Sequence, residues 1–558
     1  MASSEIGTLR SDWRKVPLDD RYRQWRTIDF QRTVLVVVRT VTTLTRLLDI
    51  VSLFESDLRI QVVYTHDPRS AAIFAAGVAE FLGELGAPVI PWEQASRTRF
   101  DLAIAASEND ALHELDAPIL LVPHGIGYQK YYPGGWVTSG MDPDRLVRGG
   151  RVIPEMIALS HPQQRALLRA ACPPAAERAV VIGDPCHDRM RVSAHRTPHY
   201  REALGTGERL LVVLCSTWGP NSLFGTWPRL PERLLGELPA DEYQVAAILH
   251  PGVWAAHGRR QVRTWLRPAL EAGLALVPPE RGWQATVLAA DCVLSDEGSA
   301  SLYAAAMDKP LLLAIADGPA DTTVPGSPLA DLAHKAARLD PDRDLRAQLA
   351  GAMHTHRLGE HGEIVERAVQ NSDGCAEVLA RLGYRRLDLE QPPGIPFFPP
   401  VDTPVTDVAT IAAHIVGGRV TDDGAVTLAR FPAMLGQVSA SSENQHFTAD
   451  VGRATLRQLQ NAAIVHGGAS GPGFDGWARH TLRQWPDARM VSAPLGTSGC
   501  VLHTRHGRRM TLEFRDGDAD PRLLASLAYV RLQANRNLPT MDTLRLGERD
   551  LAVRITPD

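Results

Sequence analysis

Residues 33–54 read TVLVVVRTVTTLTRLLDIVSLF, and they hold two periodicities back to back. Thr33 to Val38 is an unbroken apolar run of strand length, after which Val41, Leu44, Leu47, Leu48, Val51 and Phe54 recur at the spacing of a helix with one buried face. An apolar run without in-and-out alternation marks a strand covered on both sides, as in a parallel sheet flanked by helices. The same alternation continues through a strand at Ile60 to Tyr64, a helix at Ser70 to Leu85, and strands near Pro88 to Ile90, Leu102 to Ala105 and Ile119 to Val122. A second series runs through strands Leu210 to Leu214, Val245 to Leu249 and Leu274 to Val277, helix Gln284 to Ala290, strand Cys292 to Leu294, helix Ser299 to Met307 and strand Leu311 to Ala314. The expected fold class is therefore α/β, two Rossmann-like parallel-sheet halves facing a cleft, with ligands at the carboxyl ends of the strands.

At 558 residues the chain is long enough for three or four domains. The pattern divides it into an N-terminal arm (1–32), a first Rossmann-like half (33–195), a second Rossmann-like half (196–388), a linker (389–404) and a C-terminal α+β domain of unknown role (405–558). The second half closes on a polar helix expected over Gly362 to Leu382, and the proline-dense QPPGIPFFPPVDTP is stiff and extended, as a linker should be. The C-terminal domain shows a strand at Ala462 to Val465, a helix at Trp477 to Gln484, a hairpin from Val501 to Phe514 turning at His506-Gly507 and a helix from about Pro521 to Arg536.

With 59 Lys+Arg against 64 Asp+Glu the net charge is -5, and the basic residues are scattered, so nucleic acid is excluded as the main partner. The six cysteines show no CxxC spacing, which argues against a zinc site or disulfide framework. The N-terminal stretch has no apolar core of a secretory signal, and no apolar run approaches the roughly 20 residues that span a bilayer. These features predict a cytoplasmic protein. The aromatic and basic arm (Trp13, Tyr22, Trp25, Arg14, Arg21, Arg23) leaves peripheral membrane contact open, although its acids favour docking on its own domain.

The candidate chemistry sits at strand ends. Strand Ile119 to Val122 runs into Pro123-His124-Gly125, which puts a histidine of near-neutral pKa on a turn that a substrate can approach closely. Strand Val180 to Ile182 runs into Gly183-Asp184-Pro185-Cys186-His187-Asp188, Leu210 to Leu214 into Ser216-Thr217-Trp218-Gly219, and Val245 to Leu249 into His250-Pro251. After Cys292 to Leu294 comes Ser295-Asp296-Glu297-Gly298-Ser299-Ala300-Ser301, opening an alanine-rich helix. Free N-H groups, the helix dipole and the Ser299 and Ser301 hydroxyls there suit a diphosphate, while Asp296 or Ser299 could equally serve as an ordinary N-cap.

In order and spacing, His124-Gly followed by Lys130, Gly183-x-Pro185-x-x-Asp188, Thr217-Trp218, His250-Pro251 and Ser295-Asp296-x-x-Ser299 leading to Lys309-Pro310 resemble the CDP-glycerol glycerophosphotransferases of teichoic-acid synthesis and the related UDP-N-acetylglucosamine 2-epimerases. The resemblance covers about residues 33 to 385 and implies the GT-B fold, with 33–195 as its acceptor-side half and 196–388 as its nucleotide-donor half. It further implies a transferase moving a glycosyl or polyol-phosphate group, without a metal, from a CDP- or UDP-linked donor to an acceptor hydroxyl. His124 would be the catalytic base. His250 would act on the donor phosphate, and Thr217, Trp218, Ser295, Asp296, Gly298, Ser299 and Ser301 would line the donor site. No tightly bound cofactor is implied. The transferases carry Asp-Tyr-Ser-Ser where this chain has Asp296-Glu297-Gly298-Ser299, which is nearer the epimerases' Asp-Ser-Gly-Gly. A nucleotide-sugar 2-epimerase or hydrolase, and an inactive GT-B scaffold that binds a ligand or partner, therefore stand as alternatives. Gly471-Pro-Gly473-Phe-Asp-Gly476 lacks the acidic residue of a dinucleotide site, and His354, His356, Glu360 and His361 lie in a polar stretch read as solvated surface.

Overall fold

The computed structural model describes residues 13–67, 74–132, 134–314, 322–370, 374–436, 445–468, 470–517, 519–534 and 537–557. Residues 1–12 of the expected arm and 70–73 of the expected Ser70 helix lie outside them. Strand Arg32–Val37 is the third of seven in a wholly parallel sheet, flanked by Ile60–His66 and Leu102–Ala105, with Ile119–Leu121, Met156–Leu159 and Ala179–Val181 following outward. The second half is a six-stranded parallel sheet centred on Leu210–Ser216, between Tyr243–Leu249 and Cys292–Ser295. Helices cover both faces of each, and the middle of each central strand, Val34 to Val37 and Leu211 to Cys215, is apolar because neither face meets water. The two-half architecture predicted from the alternating pattern is the one observed.

One helix departs from expectation. The polar helix predicted over Gly362 to Leu382 is two, Gly362–Ala368 and Cys375–Arg386. At Val369 the backbone turns extended (φ -135, ψ 126) and the first helix ends. The second belongs to the first half's core: Cys375, Leu379, Ala380 and Tyr384 pack with Val34, Leu44, Leu47 and Phe54. Gly383 lies so close to Phe54 that a Cβ would stand 2.4 Å from its ring. The segment expected as the donor half, 196–388, thus ends in the core of the first half.

The C-terminal domain is a closed barrel of nine strands, mixed in direction, from Ala413–Val420 round to His446–Asp450. Helix Arg522–Gln533 is buried on nearly every side and fills its interior with Leu523, Leu524, Leu527 and Val530, which explains why its apolar residues show no single face. Helix Phe474–Gln484 covers the outside. The barrel docks through buried Arg430, which pairs with Asp241 (2.5 Å) and Asp520 (2.9 Å), beside the amino end of strand Tyr243–Leu249 and so away from His250. Among the described residues no helix is long and apolar enough to cross a membrane.

Candidate functional site

The carboxyl ends of the two parallel sheets meet, and the strand-end motifs meet with them. His124 and Gly125 leave strand Ile119–Leu121 and project onto the other half. A Cβ on Gly125 would lie 2.9 Å from the Ser299 hydroxyl, so only a glycine lets the turn approach this closely. The next residue, Ile126, is buried in the second half's core with Leu302 and Tyr303. His124 is reached by solvent at the cleft, while the protein packed around it and the Arg46 guanidinium push its pKa down and a contact with the Ala106 backbone works the other way. The imidazole is accordingly neutral near pH 7 and free to accept a proton.

Opposite stands helix Ser299–Ala306, with Gly298 as its N-cap and no side chain bonded to its first turn. The ordinary capping by Asp296 or Ser299 that the sequence allowed does not occur, and the amide groups at the helix start carry a partial positive charge without a side-chain acceptor. Gly298 packs tightly: a Cβ there would be 2.5 Å from Cγ2 of Thr217. Thr217 is in turn fixed by Asp296, whose Oδ2 accepts from the Thr217 amide, the Thr217 hydroxyl and the Leu223 amide, each at 2.8 Å. Burial raises the pKa of Asp296, and its Oδ1 has no hydrogen-bond partner.

His250 caps the neighbouring helix Pro251–His257, its Nδ1 accepting the Gly252 amide at 2.9 Å. That bond settles the tautomer: the proton is on Nε2, which becomes a donor. Burial first, then His124 and Lys130, lower its pKa to about 3, so it stays neutral through the working range. Phe74 reaches over from the first half, its ring 5.0 Å from that of half-exposed Trp218 and 6.4 Å from that of His250. Lys130 is tied to the second half by a backbone bridge to Thr323. Burial lowers the Lys130 pKa against the opposing pull of Asp296 and Glu297.

Of the expected site residues, His124, His250, Thr217, Trp218, Gly298 and Ser299 come together at the cleft. Ser295 and Ser301 are placed differently. Both are fully buried, and their hydroxyls donate to the carbonyls of Asp296 (3.2 Å) and Gly298 (2.7 Å), so neither offers a donor to a ligand. Asp296 serves the loop that carries Thr217. Phe74 escapes sequence reasoning because it lies at no recognisable motif position, and Glu297, although inside the motif after strand Cys292–Ser295, is given a part only by its approach to the distant Lys130. Among the described residues no group of three or more His, Cys, Asp or Glu could hold a metal ion.

No protein-family model matches the chain, and no curated protein does. Solved structures with a similar course of the backbone include the wall teichoic acid polymerase TagF (11% identity over 65% of this chain and 90% of that one, TM-score 0.45). They also include S. aureus MnaA in complex with UDP (12%, 66% and 100%, 0.38) and the UDP-GlcNAc 2-epimerase of Methanocaldococcus jannaschii (12%, 63% and 99%, 0.40).

Proposed function

We propose that the cleft transfers a glycosyl or polyol-phosphate group from a nucleotide-activated donor to an acceptor hydroxyl. The observation that carries this reading is the uncapped start of helix Ser299–Ala306 lying against the His124-Gly125 turn of the other half. An anion at that helix start would be held by its amides, the Ser299 hydroxyl and Nε2-H of His250, three donors that strengthen as charge gathers on a departing phosphate. His124, neutral and solvent-reached, would take the acceptor proton as the new bond forms. Thr217 and Trp218 would line the donor side, with Phe74 closing it from the acceptor half. A CDP- or UDP-linked donor suits this arrangement, and the scheme routes no step through a metal.

The test is a thermal-shift series with CDP, UDP, GDP and ADP on the wild type, His250→Ala and Ser299→Ala. A ligand bound to the native state alone at 100 times its Kd stabilises by about 2.7 kcal/mol. A selective shift lost in both variants supports the donor site; no shift with any nucleotide overturns it. Release of free nucleotide from a donor without acceptor would turn the reading toward the epimerase or hydrolase chemistry.

A further inference from the structure

A buried charged cluster lies behind the cleft, outside the reaction scheme above. Helix Val41–Val51 turns Arg46 and Asp49 inward. The Arg46 guanidinium lies against both oxygens of Asp184 (3.2 and 2.9 Å) and donates to the Tyr303 hydroxyl at 2.7 Å, and that hydroxyl is 3.1 and 3.2 Å from the same carboxylate. Asp184 also caps helix Pro185–Ser193 by accepting the His187 amide at 2.8 Å. One turn along helix Val41–Val51, Asp49 pairs with Arg189 at 2.7 Å, and Arg189 holds the linker carbonyls of Pro399 and Pro400. All four charged residues and Tyr303 are buried.

Stability does not by itself account for this cluster, because each buried ion gives up its hydration and well-packed apolar residues often serve as well. What a guanidinium fork between a carboxylate and a hydroxyl supplies is direction. Here the direction joins three elements. Helix Val41–Val51 belongs to the first half, Asp184 stands where the chain crosses between halves, and Tyr303 is one turn after Ser299 on the helix that faces the His124-Gly125 turn. We infer that Arg46 is a positioning residue: through Asp184 and Tyr303 it sets the start of helix Ser299–Ala306 against His124. The terms base and donor rest on the function proposed above; the positioning itself rests on the contacts. Arg46 has a second effect, because its charge disfavours the protonated form of His124, which also faces the Ala106 backbone and, from the second half, His250.

Three variants separate these effects in the full-length protein. Tyr303→Phe removes one bond of the fork and keeps the packing. Arg46→Lys keeps the charge without the fork. Arg46→Met combined with Asp184→Asn removes both charges together, so that no carboxylate is left buried and unpaired. Two readouts are taken: the pH midpoint at which diethyl pyrocarbonate modifies His124, followed by peptide mass spectrometry, and donor turnover split into kcat and KM. The double variant should move the His124 midpoint upward, and Arg46→Lys should not move it. Tyr303→Phe and Arg46→Lys should lower kcat by about tenfold or more at little-changed donor KM, since small misplacements of reacting groups are costly. Folded variants with wild-type kcat, or a double variant with the wild-type His124 midpoint, would overturn the inference. If the wild type shows neither nucleotide stabilisation nor turnover, the transferase reading fails, and the positioning is then read from the rate at which diethyl pyrocarbonate modifies His124 at a pH above its midpoint: Tyr303→Phe and Arg46→Lys should change that rate, and a wild-type rate in both overturns the inference.

Discussion

Replacing Gly298 by alanine tests the geometry of the helix start more directly than removing any polar group. Gly298 has an extended backbone (φ -142) that any residue can adopt, so strain in the backbone is not the issue. The new methyl carbon would stand 2.5 Å from Cγ2 of Thr217, about 1 Å inside the ordinary carbon–carbon separation of 3.5–4.0 Å. Thr217 cannot simply rotate away, because its amide and hydroxyl are both held by Asp296 at 2.8 Å. Either the helix start moves or a hydrogen bond to a buried carboxylate breaks. Overpacking of this kind costs about 1–3 kcal/mol, and for a unit of this size each kcal/mol lowers Tm by roughly 2–4 °C. The nucleotide-induced shift should vanish as well. Thr217→Ser deletes the obstructing methyl and keeps the hydroxyl on Asp296, so the pair Gly298→Ala with Thr217→Ser should regain most of the lost stability, a coupling of about 1–2 kcal/mol in a double-mutant cycle. Differential scanning fluorimetry with and without nucleotide reads all four proteins. An unchanged Tm in Gly298→Ala, or a pair no better than the single variant, would refute the packing argument.

Further outcomes follow from the same structure. His250→Asn retains a side-chain acceptor for the Gly252 amide but loses Nε2-H, so Tm without ligand should stay near that of the wild type while the nucleotide shift is lost; His250→Ala, which loses the cap as well, should fall by about 1 kcal/mol. Burial holds His466 of the barrel at about 3, aided by Arg522, and holds His414 well below its ordinary value, aided by Arg430. In the window between these folded values and the unfolded value near 6.5 the unfolded chain binds more protons, so stability is complete above that window and falls with pH inside it, by at most about 1.4 kcal/mol per pH unit for each histidine. A Tm flat from pH 7 to 5 would contradict this, and His466→Gln should lessen the slope. Arg430→Met removes the partner that Asp241 and Asp520 share, although Asp520 keeps Arg522, and should destabilise the barrel by about 3 kcal/mol, read as a lower urea midpoint.

Local periodicity was enough for much of this protein. An apolar run as short and as rich in valine as Thr33 to Val38 marks a strand covered on both faces, and a run followed by helical spacing, repeated along two stretches, gives two parallel α/β halves with their candidate chemistry at strand ends. His124, His250, Thr217 and Ser299 were legible for that reason. Only tertiary structure decided which side chains meet across the cleft. Ser295 and Ser301 have the residue type of phosphate ligands, but the turn they stand in consumes their hydroxyls. Arg46 lies off the apolar stripe of Val41, Leu44, Leu47 and Leu48 and stands in no motif; Asp184, 138 positions away, and Tyr303, 257 away, give it its buried place. Helix Cys375–Arg386 follows the second half in sequence and completes the core of the first, and strands that show only short alternation close into a barrel around helix Arg522–Gln533. Periodicity records that a face is buried, because burial is a local property of spacing; it does not record against what, because partners distant in the chain are selected by packing and charge pairing that exist only once the fold brings them together.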